Sequence, residues 1–120
     1  MSEKKTCVGG CHCGKVRYDV NIDLTQVIAC NCSLCSRTGW LLAFVPDEDF
    51  TLRSGDGALT DYQFGKKHIH HQFCATCGVN SFSHGRRPVD GKEMYAVNVR
   101  CLEGVEADTL PVKRVDGRSL

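Results

Sequence analysis

The sequence predicts one small, mainly β domain built of antiparallel sheets, and three observations point to it. Short segments of alternating or continuous apolar character recur along the 120 residues, separated by glycine-containing turn signals. No stretch of about 12 or more residues keeps a helical stripe, so helix is limited to a turn or two after Cys32 or near Asp108. The length fits a single domain of the common ~100–150 residues, so residues 1–120 are read as one unit with a core over about 7–101.

The first clear strand is Val16 to Ile22, where Val16, Tyr18, Val20 and Ile22 alternate with Arg17, Asp19 and Asn21. Similar short runs follow at Val27 to Ala29, Leu41 to Val45, Phe50 to Arg53, Leu59 to Phe64, Ile69 to Phe73, Asn80 to Ser83 and Met94 to Val99. Gly9-Gly10, Gly55-Asp56-Gly57, Gly65-Lys66, Gly85 and Asp90-Gly91 are read as turns between them. The polar segment Val112 to Leu120 is expected to be a loose tail.

Charge and composition exclude several function classes. Lys and Arg number 15 against 14 acidic residues, a net +1, so there is no basic field to hold a phosphate backbone and no general nucleic-acid binding is expected. Met1 to Gly10 has no apolar leader, and the longest apolar run, Trp40 to Val45, is far short of the ~20 residues that cross a bilayer. The expectation is a cytoplasmic protein without membrane contact.

The nine cysteines are the unusual feature. Without them the apolar residues make up only about a third of the chain, a thin core of the kind that usually recruits disulfides or metal. An odd count without a secretory leader favours metal. Seven fall into Cys11-His-Cys13-Gly, Cys30-Asn-Cys32-Ser-Leu-Cys35 and Cys74-Ala-Thr-Cys77-Gly, and such spacing lets neighbouring sulfurs converge on one ion. Cys11, Cys13, Cys74 and Cys77 combine into a closed four-thiolate structural zinc site. Gly14 and Gly78 supply the left-handed backbone that turns knuckle amides toward sulfur.

Cys30, Cys32 and Cys35 offer three thiolates, the count of an open zinc site whose fourth place takes water or substrate. The alternatives are closure by His70, His71, Cys101 or Cys7, or a metal-free redox cluster, although the βαβ setting of a thioredoxin-like motif is missing. Three thiolates leave Zn²⁺ with a formal charge of −1, a poor activator of water and a better partner for a soft thiol. The expected chemistry is therefore attack of a substrate thiolate on an electrophilic carbon, and two zinc ions per chain are expected.

Gly10-Cys-His-Cys-Gly-Lys-Val-Arg-Tyr18, then Cys30-x-Cys-x-x-Cys35 followed by Gly39, then Phe73-Cys-x-x-Cys-Gly78, resembles the glutathione-dependent formaldehyde-activating enzyme family, which also includes centromere protein V. The match runs from about Val8 to Phe82. The resemblance implies a twisted, mainly β fold shared with a Rab-type guanine-nucleotide exchange factor, with structural zinc on Cys11, Cys13, Cys74 and Cys77. It also implies a proposed catalytic zinc on Cys30, Cys32 and Cys35, and a carbon–sulfur lyase-type activity that joins glutathione and formaldehyde as S-hydroxymethylglutathione. The rival expectation is a non-catalytic zinc-stapled interaction module, and a weaker one is a zinc carrier or redox sensor using a labile three-thiolate site.

Substrate contacts are expected from Arg37, with Arg86 and Arg87 as further sources of positive charge, and from Trp40 as a pocket wall, against the simpler readings of solvated arginines and a packed tryptophan. His68-Ile-His-His71 places Ile69, His71 and Phe73 on one strand face and His68 and His70 on the other, as packing beside the zinc. His12 is expected to point away from the metal, with proton transfer a minor alternative. Cys7 and Cys101 are read as small buried residues.

Overall fold

A computed structural model describes residues 4–64, 69–87 and 90–119. In it, β2 (Arg17–Asp23) is the centre of a three-stranded antiparallel sheet between β1 (Lys4–Gly10) and β5 (Phe50–Ser54). A seven-stranded sheet runs in the order β10 (Val112–Val115), β3 (Val27–Cys30), β4 (Leu42–Pro46), β9 (Glu93–Asn98), β8 (Phe82–Arg86), β7 (Ile69–Cys74) and β6 (Leu59–Tyr62). Its pairs are antiparallel except β10 with β3, which are parallel, so this sheet is mixed. The one described α-helix, α1, is the single turn Cys35–Thr38, and a 3₁₀ turn covers Ala107–Thr109, both where short helix is expected.

The alternation of β2 buries Tyr18, Val20 and Ile22, and the preceding Val16 is buried with them. They pack with Val27, Ala43, Val45, Phe82 and Val97 of the larger sheet. Tyr18 organises this core: its ring lies 4.8 Å from Phe50 and 5.6 Å from Phe82, and its hydroxyl donates to the Ser81 carbonyl at 3.0 Å. That bond matters because a buried phenol without an acceptor would cost roughly 1–3 kcal/mol.

The sequence expectations need correction at four places. Gly9 and Gly10 are not a turn but the end of β1, because a Cβ at Gly9 would stand 2.7 Å from the Tyr18 ring and one at Gly10 would stand 2.1 Å from the Val16 carbonyl oxygen. Gly85 is likewise a ladder residue, between Ile69 and Met94, so β8 starts at Phe82 and runs past it. β6 stops at Tyr62 rather than Phe64, whose ring instead stacks against His71 at 5.3 Å. The expected loose tail at 112–120 is ordered through Ser119: β10 pairs with β3, and a 3₁₀ turn, Gly117–Ser119, follows. Gly65-Lys66 lies outside the described residues, whereas Asp90 and Gly91 do form a turn, closed by Gly91 N–H on the Arg87 carbonyl at 2.7 Å.

Candidate metal centres and the cleft beside one of them

The first centre joins two connections that are distant in sequence. Cys11 and Cys13 lie just after β1, whereas Cys74 ends β7 and Cys77 follows in the turn before β8. All four sulfurs lie within 4.8 Å of one another, with Cys11–Cys13 and Cys13–Cys74 at 3.6 Å. A tetrahedral ion with bonds to sulfur of ~2.3 Å sets its sulfurs about 3.8 Å apart, so the cluster matches the ion's edge length. Gly14 and Gly78 take φ values of 87° and 80°, and the chain turns so that Val16 N–H reaches Cys11 Sγ at 3.3 Å and Thr76 N–H reaches Cys74 Sγ at 3.4 Å.

These amides shape the acidity of the thiols. The Val79 and Cys13 amides bring Cys77 down to about 6, and the Cys77 and Thr76 amides lower Cys74. At Cys13 the Lys15 amide favours the thiolate, but desolvation and three sulfur neighbours push the thiol up to about 11. A bound cation removes that conflict, since every sulfur then serves as a thiolate ligand.

The second centre is built from one connection. Cys30 ends β3, Cys32 lies in the following loop and Cys35 opens α1; their sulfurs also lie within 4.8 Å of one another. Cys32 N–H points to Cys30 Sγ and Cys35 N–H to Cys32 Sγ, each at 3.4 Å. Burial pushes Cys35 up to about 12, with the Trp40 indole N–H acting in the opposite direction. For Cys32, desolvation is outweighed by the Cys35 amide and the neighbouring thiols, and its pKa falls. Among the described residues the buried Trp40 Nε1–H makes no hydrogen bond of ordinary geometry, and Cys35 is the sulfur it acts on, so a metal-bound thiolate at Cys35 would give that donor a full acceptor. The donor set and the orphaned N–H both fit a thiophilic ion.

Among the described residues no fourth His, Cys, Asp or Glu joins this trio. His70 Nδ1 is engaged by the Asp61 carboxylate at 2.7 Å, and Cys101 lies toward the other cluster, partly buried, where burial and the nearby Cys11 and Cys77 push it up to about 11. Cys7 is buried in β1. His71 is only 8% exposed, donates Nδ1–H to the Tyr62 carbonyl at 3.0 Å and stacks on Trp40 with ring centres 6.2 Å apart. It supports the tryptophan from behind, while Ile69 of the same strand is exposed and His68 lies outside the described residues. His12 is exposed between its two cysteine neighbours.

A cleft of about 470 Å³ opens beside the trio, and Cys30, Cys35, Trp40, Arg100, Asp108 and Arg114 are among the residues that line it. Trp40 is both packed in the interior, at 5% exposure, and among the residues that line this cleft. Arg37 is not among its lining residues: it donates to the Ser33 carbonyl at 2.8 Å and borders a separate hollow of about 290 Å³ with Tyr62 and Phe64. Arg86 and Arg87 are engaged by Glu93 and Asp90. The cleft's own arginines were missed because Arg114 sits in the segment expected to be loose, and no local motif marks Arg100.

A small, mainly β chain that gathers one four-thiol and one three-thiol cluster has the donor sets of a cysteine-based metal-binding protein, and each cluster could hold an ion. Residues 6–115 match the model of the glutathione-dependent formaldehyde-activating enzyme family, and the chain belongs to that family. A crystal structure of a protein from Rhodobacter sphaeroides is similar at 36% identity, covering 88% of this chain and 99% of that one, with a TM-score of 0.75. Membership supports glutathione as the thiol substrate, formaldehyde activation of lyase type and metal binding by the cysteine clusters. No described helix is long and apolar enough to cross a membrane.

Proposed function

We propose that the chain adds the glutathione thiol to formaldehyde, giving S-hydroxymethylglutathione, with Cys11, Cys13, Cys74 and Cys77 holding a structural zinc and Cys30, Cys32 and Cys35 a zinc that serves the reaction. The observation that carries this reading is a three-sulfur cluster, without a fourth protein donor among the described residues, on the wall of a cleft of about 470 Å³. Three protein ligands and room for a fourth are what distinguish a catalytic zinc site from a structural one.

Zinc held by this trio would supply the stabilisation that keeps a substrate thiol deprotonated near neutral pH. The chain's residues do the rest: Trp40 closes one wall and limits water, and the cleft confines the thiol and the aldehyde. The sulfur electron pair forms the new C–S bond, the carbonyl π pair moves to oxygen, and the oxygen takes one proton while the thiol proton is released. No electrons are gained or lost overall, and the reverse reaction is the lyase direction.

Cys32→Ser is the direct test. The expected outcome is loss of about one zinc per chain and of thiol-dependent turnover above the spontaneous rate, with the β-sheet circular dichroism unchanged. Full activity in that variant would end the proposed role of the trio.

A further inference from the structure

The carboxyl-terminal strand enters the substrate cleft, and it does so with a charged side chain. In the parallel pairing of β10 with β3, Arg114 stands opposite Ala29 and Val115 opposite Cys30, so Arg114 is one ladder step from the first sulfur of the trio. Arg114 is among the residues that line the cleft shared with Cys30, Cys35 and Trp40, and also a smaller hollow of about 250 Å³ shared with Cys30 and Asp116.

The strand is held in place by a built clasp. Asn31, between two of the cysteines, donates its backbone N–H to the Val115 carbonyl at 3.2 Å and its Nδ2 to Asp116 Oδ1 at 2.9 Å, and its Oδ1 accepts from Arg118 N–H at 2.9 Å. Gly117 completes the contact, since a Cβ there would stand 2.4 Å from Cys30 Sγ.

Charge decides what this wall can recognise. Arg100 is already paired with Asp108 at 3.0 Å, and the Asp116 carboxylate is engaged by Ser119 at 2.6 Å and by Asn31. Among the described residues Arg114 has no ion-pair partner, so it is the uncompensated cation facing the trio. A guanidinium with free N–H groups suits a carboxylate, which it can grip through two parallel hydrogen bonds.

We infer that Arg114 binds a carboxylate of the thiol substrate while the substrate sulfur is held at the trio. This rests on the proposed reading of the trio as a thiol site, and it defines the substrate class as a thiol that carries a carboxylate within reach of its sulfur. Glutathione, with two carboxylates, belongs to that class; a thiol of similar size with both acids esterified does not.

The test is calorimetric titration of the zinc-loaded full chain with glutathione and with glutathione diethyl ester, comparing wild type, Arg114→Gln and Arg37→Gln. Arg114 is exposed, so its substitution leaves the core intact. Wild type is expected to bind the acid about tenfold more tightly than the ester, at the low end for a charged hydrogen bond. Arg114→Gln should lose that preference by weakening only the acid, and Arg37→Gln should behave as wild type. Equal discrimination in Arg114→Gln, or loss of it in Arg37→Gln instead, would overturn the assignment while leaving the thiol-site reading standing. Failure of wild type to bind either compound would remove both.

Discussion

The two cysteine clusters use the same donor atom and differ in how the chain delivers it. The quartet ties the connection after β1 to the end of β7, about sixty residues apart, with sulfurs at 3.6 Å spacing. The trio lies within six residues of one loop, and its surroundings come from elsewhere: the Gly117 backbone, the Trp40 indole and the arginines of the cleft. In the proposed reading, a closed cluster that bridges distant segments would act as a cross-link when it holds an ion, because the ion would close a long loop that is open in the unfolded chain. A local cluster with three donors would add little cross-linking and, in the same reading, would keep a coordination place for chemistry. The number of sulfurs and the sequence span together separate a staple from a site.

The largest expected effect comes from breaking the staple. Cys74→Ser removes the most buried ligand of the quartet and should abolish cooperative thermal unfolding, since structural zinc contributes on the order of 10 kcal/mol to folding. Scanning calorimetry checks this. If Cys74→Ser and Cys32→Ser lost the same stability, the distinction between the clusters would be wrong. Cys32→Ser should lower Tm by about 5 °C or less, equivalent to about 1 kcal/mol.

Gly117→Ala sharpens the comparison from the other side. The added methyl meets Cys30 Sγ and leaves the quartet untouched, so zinc at the trio should weaken by about 10–100-fold while one tightly held zinc remains. Competition with a graded chelator reads the two populations separately. Equal release of both ions would show that the C-terminal turn does not support the trio.

The smallest effect concerns His71 beneath Trp40. Burial lowers its pKa below 6.5 in the folded protein, so the unfolded state takes up the proton first. Its contribution is therefore present above pH 6.5 and falls as pH drops below that value toward the folded pKa. Denaturant unfolding from pH 7.5 to 5 should show this loss in wild type and a flatter profile in His71→Asn. Identical slopes in the two proteins would mean that the histidine is not buried as a neutral ring.

Much of this was readable from residues alone, for physical reasons that differ by region. The alternation of Val16, Tyr18, Val20 and Ile22 reports a strand with one buried face, and it is found as β2. The cysteine clusters were readable because chelation by closely spaced sulfurs is a local property. β10 was not, because Val112, Lys113 and Arg114 are exposed, only Val115 is half-buried, and the segment is a strand through its pairing with β3. Gly9 and Gly85 misled for the complementary reason: Gly9 permits close approach to the Tyr18 ring and Gly85 sits within the ladder of its sheet, neither of which a turn rule detects. The cleft inherits the same limit, since Arg100, Asp108 and Arg114 are distant from Cys30 in sequence and share a cleft with it only through the tertiary fold.

The most direct test of the central claim is zinc content per chain combined with X-ray absorption at the zinc edge, with and without glutathione. The account predicts about two zinc ions, and an average sulfur count that rises when the thiol is added, because only the trio has a place to fill. Two ions already surrounded by four protein ligands each and unchanged by glutathione, or a single ion on the quartet alone, would contradict it.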